Sequence, residues 1–287
     1  MHRQLKRLLI SMVVLILVQE SLAQSGWTRK SKTYFVKMSY SFFGSKNYYN
    51  IDGELLETAE FRQQSVNLYG EYGITDRLTA IVQMPLVRWN GFESTETVSG
   101  IGDLRTELKY AILRDRFPLA ISVAPEFPTG PNDLFARNET NTFEQINLPT
   151  GDGEFNIWTT LAGSVSHPKI PLYTSASVAF NYRTEYQDVD FQNQLKLALE
   201  LGYQPLDGLW VSGTINAQTS LGDENPVVDF VRGDGTAYTA WGFSASYEVV
   251  HNISLSVDYW NFWDFIFDRQ NIYSAPTLSL GCFYEIK

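Results

Sequence analysis

Residues Gly100 to Gly130 read GIGDLRTELKYAILRDRFPLAISVAPEFPTG, and the fold turns on how this stretch alternates. Leu104, Thr106, Leu108, Tyr110 and Ile112 share one face of a period-2 strand, with Asp103, Arg105, Glu107 and Lys109 on the other. After a turn at Arg114 to Pro118, Leu119, Ile121, Val123 and Phe127 alternate with Ala120, Ser122, Ala124 and Glu126. The stretch is a hairpin with one greasy side and one polar side. A soluble sandwich and a lipid-exposed barrel wall both produce such alternation, so the rest of the chain must decide which face meets water.

The same rhythm extends both ways. Upstream, strands are expected at Tyr34 to Phe43, Gln63 to Tyr72 and Leu78 to Leu86. A long loop, Gly44 to Glu60, separates the first two, a tight turn at Thr75-Asp76-Arg77 the next two, and the loop Gly91 to Ser99 leads into the hairpin. Downstream, a long connection rich in Pro, Gly, Asn and Asp, Pro128 to Gly153, precedes strands at Phe155 to Val165, Leu172 to Tyr182, Phe191 to Gln204, Leu209 to Ala217, Trp241 to Val249, Ile253 to Tyr259 and Leu278 to Ile286. Their connections are the short turn His167 to Pro171, a polar bend at Glu185 to Asp190, the turn Pro205 to Gly208, the acidic loop Gly222 to Gly235, His251-Asn252, and an aromatic loop from Phe262 to Tyr273.

Connections thus alternate short and long along twelve expected strands. A bacterial outer-membrane barrel requires this asymmetry, because its inner turns are tight and its outer loops long. Sandwiches connect through Greek keys and do not sort loop length by parity. The fold class expected is therefore all-β, an antiparallel up-and-down transmembrane barrel of about 12 strands.

Addressing agrees. Arg3, Lys6 and Arg7 precede the apolar run Leu8 to Val18, and Ser21-Leu22-Ala23 offers a cleavage site before Gln24, which marks residues 1–23 as a secretory signal peptide and residues 24–287 as the barrel domain. Removing that segment leaves 19 basic and 31 acidic residues, about −12, which disfavours nucleic acid as a partner. Cys282 is the only cysteine, so no intrachain disulfide forms. Beyond the signal run nothing approaches the roughly 18 apolar residues of a membrane helix, so any spanning is done by strands.

Closure in lipid fixes the faces. Leu, Val and aromatic positions meet acyl chains, and Lys37, Glu71, Arg105, Glu107, Lys109, Glu126, Lys196, Glu200 and Asp258 point into the lumen. Tyr40, Trp89, Tyr110, Tyr182, Tyr203, Tyr259 and Trp260 fall near strand ends, where an amphipathic ring suits the headgroup level.

Gly100-Ile101-Gly102-Asp103-Leu104 with Leu108-Lys109-Tyr110, then Phe127-Pro128-Thr129-Gly130 and Leu148-Pro149-Thr150-Gly151-Asp152-Gly153, resemble the outer-membrane barrel family named for the MetA pathway of phenol degradation. The resemblance covers most of the mature chain in rhythm and is specific over roughly residues 75–165. It implies outer-membrane residence and passage of small, often aromatic, hydrophobic solutes, and it carries over no catalytic residue. Ser279, Gly281, Tyr284 and Ile286 look like a C-terminal signal for the barrel-assembly machinery, although Lys287 stands where an aromatic residue is usual. Larger fatty-acid transporter barrels carry an N-terminal plug. Here only Gln24 to Thr33 precede the first strand, too few to fill a lumen.

Twelve strands predict a narrow lumen, so the first reading is a channel whose inward charges form a mixed-charge constriction; pairing of those charges across strands is the structural alternative. An outer-membrane lipid hydrolase needs a wall histidine beside its nucleophile, and His167 and His251 both fall in short turns, so no enzyme, cofactor or catalytic residue is expected. A third reading is a barrel acting through its outer loops. In the aromatic run Trp260, Phe262, Trp263, Phe265 and Phe267, packing into the lumen as a plug is expected over insertion in lipid or capture of a solute. Asp223, Glu224, Asp229 and Asp234 fit no EF-hand spacing and read as solvated loop charge, and no metal site is expected.

Overall fold

A computed structural model describes residues 25–139, 143–186, 190–222 and 234–286. The expected signal peptide, residues 1–23, and Asp223, Glu224 and Asp229 lie outside the described residues. Among the described residues sixteen strands form, twelve of them long: β1 (Tyr34–Tyr49), β2 (Leu55–Thr75), β3 (Leu78–Phe92), β5 (Leu104–Leu113), β6 (Leu119–Phe127), β9 (Asn156–Ser166), β10 (Leu172–Arg183), β11 (Asn193–Leu206), β12 (Leu209–Leu221), β13 (Tyr238–Val250), β14 (Ile253–Phe262) and β16 (Thr277–Ile286). Each pairs antiparallel with its chain neighbour, and β1 pairs with both β2 and β16, which closes the barrel. Four short pieces decorate the outer end: β4 (Val98–Gly100) on β3, β7 (Phe135–Arg137) on β8 (Gln145–Asn147), and β15 (Ile272–Tyr273) on β1.

The faces are inverted relative to a soluble protein. Leu108, Val123, Leu199 and Leu201 are 56%, 48%, 49% and 52% exposed, while Glu107, Lys109 and Ser122 are 6%, 5% and 4% exposed. Closure explains this, since a wall with no free edge satisfies every ladder N–H and C=O and can present oil outward. Inside, Ala111, Ala120, Ala124 and Ala162 are buried on the same face as the ionised groups. Small side chains at those positions leave room for charged ones across a narrow lumen.

Five short turns gather at one end. Three of them have only two residues, and in two of those Gly208 (φ +78°) and Asn252 (φ +66°) take a positive φ. The expected loop Gly44 to Glu60 is corrected. β1 continues to Tyr49 and β2 begins at Leu55, with Asn47, Tyr48 and Tyr49 opposite Glu57, Leu56 and Leu55 beyond a bulge at Ser45. A hairpin that projects past the rest of the wall can be polar on both faces, so the alternation that marks a wall strand is missing from its sequence. Asp234 also departs from expectation. It is 0% exposed, accepts the Gln192 main-chain N–H at 2.9 Å and lies 3.7 Å from Arg183, so it is a buried tie between loops.

Candidate functional site: the barrel interior

The nine inward charges fall into three groups. Glu71, Arg105, Glu107, Lys109 and Lys196 line a central cavity of about 230 Å³ with Tyr69 and Trp158. Lys37, Glu200 and Asp258 line a second cavity, about 320 Å³, with Tyr173, Trp210 and Trp260. Glu126 borders neither and faces Asp103 and Asp152 instead.

Most of these charges are committed. Lys37 Nζ lies 2.9 Å from Asp258 Oδ2, and Arg105 is 3.9 Å from Glu107 with its guanidinium 5.1 Å from the centre of the Trp158 ring. Glu200 accepts the Tyr173 hydroxyl at 2.6 Å and Glu71 accepts the Tyr69 hydroxyl at 2.6 Å. Lys109 and Lys196 form no ion pair with any described residue, so each presents its charge to the central cavity.

The inner mouth is crossed by the segment ahead of β1. The Gly26 N–H donates to Ser164 Oγ on β9 at 2.8 Å, and Trp27 meets Tyr173 of β10 edge-on at 5.5 Å. Across the mouth, the Arg29 N–H donates to Thr79 Oγ1 of β3 at 2.8 Å, and its guanidinium grips Glu71 of β2 and Glu285 of β16 at 2.6 Å each. A Cβ on Gly26 would stand 2.2 Å from Pro118 O, and one on Gly73 would stand 1.9 Å from Lys30 O. The residues judged too few to fill a lumen do span its mouth, because a nearly extended chain covers about 3.3 Å per residue. Arg29 is the member that sequence reasoning missed. Its only sequence signal is an arginine in the basic run Arg29-Lys30-Ser31-Lys32 ahead of the first strand.

At the outer end the motif segments tie together. Asp103 Oδ1 accepts the Gly130 N–H at 2.9 Å, and Oδ2 accepts the Asp152 N–H at 2.7 Å. Thr129 Oγ1 donates to Gly102 O at 2.9 Å, and Arg88 and Asn90 donate to Thr150 O and Pro149 O at 2.9 and 2.6 Å. Gly130 and Gly151 pack so closely that a Cβ on either would fall within 2.7 Å of the other's Cα. Leu148 and Thr150, 1% and 0% exposed, are thereby folded into the outer mouth. The Asp152 carboxyl is pushed up to about 7 by burial first, and then by the neighbouring Glu126 and Asp103 carboxylates.

Above this knot lies a cavity of about 270 Å³ bounded by Phe43, Phe61, Arg88, Asp152, Phe262 and Tyr273. Phe61 is its hub, with ring centres 5.3 Å from both Phe92 and Tyr273 and 6.3 Å from Phe43. The aromatic run that starts at the end of β14 divides at this point. Trp260 is 8% exposed and packs with Ala240 and Leu278, and Phe262 meets Tyr238 edge-on at 5.6 Å. Trp263 and Phe265, 52% and 65% exposed, stack on each other at 5.0 Å, while Phe267 is tied by main chain to Thr239.

A closed up-and-down wall with an oily outside and an ionised inside defines the class of outer-membrane β-barrels. The fold is similar to the crystal structure of the COG4313 outer membrane channel from Pseudomonas putida F1, with a TM-score of 0.67 and 13% identity over 93% of this chain and 100% of that one. It is also similar to the NanC porin (TM-score 0.53, 14% identity, 88% and 100% covered). The translocator domain of the autotransporter NalP from Neisseria meningitidis gives a TM-score of 0.53 and 10% identity over 99% and 94%. At these identities the likeness is one of fold. No family model and no curated protein sequence matches the chain.

Proposed function

We propose that this protein is an outer-membrane channel that lets small solutes, aromatic or hydrophobic ones among them, cross a Gram-negative envelope. One observation carries the reading: three cavities, of about 270, 230 and 320 Å³, lie inside a single closed wall whose outside is suited to lipid. A solute meets the aromatic cage around Phe61 first, then the charges around Lys196, and then the pocket of Lys37 and Asp258. Rings offer dispersion and quadrupole contacts without demanding one hydrogen-bond pattern, which suits a tolerant entrance. The motif resemblance to the MetA-pathway barrels supports the same solute class. The likeness of fold to a protein named as an outer membrane channel supports the channel reading, without bearing on the solute.

In this reading residues 1–23 direct export and the last strand is what the assembly machinery engages. The strap from Gly26 to Lys32 favours a second reading, a barrel that does not conduct and acts through its outer loops. Planar-bilayer recording on the purified barrel separates the two. Discrete conductance steps, and swelling of proteoliposomes in small solutes, are expected of the channel. A folded, correctly inserted barrel that gives neither overturns it.

A further inference from the structure

We propose that the carboxylates of Asp103, Glu126 and Asp152, with the side-chain amide oxygen of Asn156, form a site for a divalent hard cation, calcium in preference to magnesium. One oxygen of each acid lies within 4.8 Å of those of the other two. The three come from separate segments: the link ahead of β5, the end of β6, and the link between β8 and β9. Nothing in their spacing along the chain announces a site, because the fold brings them together.

Asn156 supplies an independent indication. It is 4% exposed, and its Oδ1 is buried with no hydrogen-bond partner. It stands directly opposite Glu126 in the ladder between β6 and β9. Side chains so opposed rise from one face with Cβ atoms about 4.5–5.5 Å apart, which sets the Asn156 side chain next to that of Glu126. A buried acceptor lacking a donor is destabilising by about 1–3 kcal/mol. Ionised carboxylates and an amide oxygen are all acceptors, and a hard cation is a ligand that engages them together.

The neighbouring arginines do not close the site. Arg88 gives its Nη1 to Thr150 O, and Arg105 lies over Trp158 near Glu107. Neither Asp103 nor Glu126 forms an ion pair with a described residue. Asp103 already accepts the Gly130 and Asp152 N–H groups, yet each carboxylate oxygen keeps a second lone pair. An all-oxygen set of irregular geometry, completed by water, suits calcium, whereas magnesium demands a near-ideal octahedron. Asp152 also borders the outer cavity, which gives the ion a way in from outside. The bound ion would clamp the three motif segments, a role that does not depend on solute passage.

The test uses terbium as the calcium surrogate, because Trp158 Nε1 donates to Glu126 Oε2 at 3.2 Å and its indole can sensitise the lanthanide. The full-length barrel in detergent, its folding checked by gel mobility before and after boiling, is expected to show tryptophan-sensitised terbium emission displaced by calcium. A dissociation constant of about 10⁻⁴–10⁻³ M is expected, the range of extracellular calcium modules. Glu126→Gln and Asp152→Asn should abolish that emission. Trp158→Phe should remove most of it while calorimetry still detects calcium, and Asn156→Val should weaken binding about tenfold, as loss of one ligand would. A folded barrel with no calcium-displaced emission overturns the site. So does emission that survives Glu126→Gln and Asp152→Asn at full strength, or that is indifferent to Trp158→Phe.

Discussion

Lys37 on β1 reaches Asp258 on β14 at 2.9 Å by passing over β16, the strand between them, and it does so above Gly281. A Cβ at Gly281 would stand 2.7 Å from Lys37 Cε and 2.5 Å from Ser256 Oγ, so the missing side chain is the passage through which the pair forms. Gly281→Val should therefore push the ammonium aside and leave two buried charges apart. Breaking such a pair by removing one partner costs about 3–5 kcal/mol, and the pair's side chains are only 6% and 10% exposed. Urea unfolding in lipid vesicles should show Gly281→Val and Lys37→Met destabilised to a similar degree, with Lys37→Met/Asp258→Leu less affected than Lys37→Met alone. Equal midpoints for all these variants would remove the pair from the account of wall stability.

The strap at the inner mouth makes a prediction about flow. Arg29 holds both Glu71 and Glu285 at 2.6 Å, and its own N–H is tied to Thr79. Arg29→Ala removes two charge-assisted contacts while leaving the ladders of β1 untouched. Single-channel conductance should rise, with more time spent open, and deletion of residues 25–32 should raise it further. Conductance identical to that of the parent in both variants would show that the strap does not limit passage.

Selectivity should follow the charges that have no partner. Lys196 faces the central cavity without an ion pair among the described residues, so its field acts on whatever passes. Lys196→Glu should shift the reversal potential in a salt gradient toward cations. Lys37→Gln, which also loses a cation but from within a pair, should shift it less. A larger shift for Lys37→Gln would place the constriction in the cavity of Asp258.

These cases mark what sequence could show. Period-2 alternation in Leu104 to Ile112 gives the faces, because lipid outside and a closed ladder leave no other place for Arg105, Glu107 and Lys109. It cannot give pairings, which depend on strand order and on gaps such as Gly281. The rim of β1 and β2 was hidden because water on both sides imposes no pattern on Lys46 to Glu60. Phe43 and Phe61 could be placed on strands or near them, but their meeting with Tyr273 depends on β15 pairing with β1 across the closure. Arg29 and the convergence of Asp103, Glu126 and Asp152 are products of the third dimension alone.

The outer knot gives the last prediction. Asp103 accepts two main-chain N–H groups, from Gly130 and Asp152, and hydrogen bonds to a charged acceptor contribute about 1.5–3 kcal/mol each. Asp103→Asn keeps one acceptor oxygen and loses the charge, whereas Asp103→Ala loses both bonds. The wall ladders are unaffected in either case, so global unfolding should move little and the effect should be local. Amide hydrogen exchange of residues 148–153 should quicken modestly in Asp103→Asn and by at least about tenfold in Asp103→Ala, since one lost bond of roughly 1.4 kcal/mol already changes a local opening equilibrium by that factor. Gly151→Ala approaches the same segment by a different route, because its new Cβ would lie 2.6 Å from Gly130 Cα and must force the two loops apart. If exchange in this segment is unchanged in both Asp103→Ala and Gly151→Ala, the segment is held by Arg88 and Asn90 through Thr150 O and Pro149 O, and Asp103 is not its anchor.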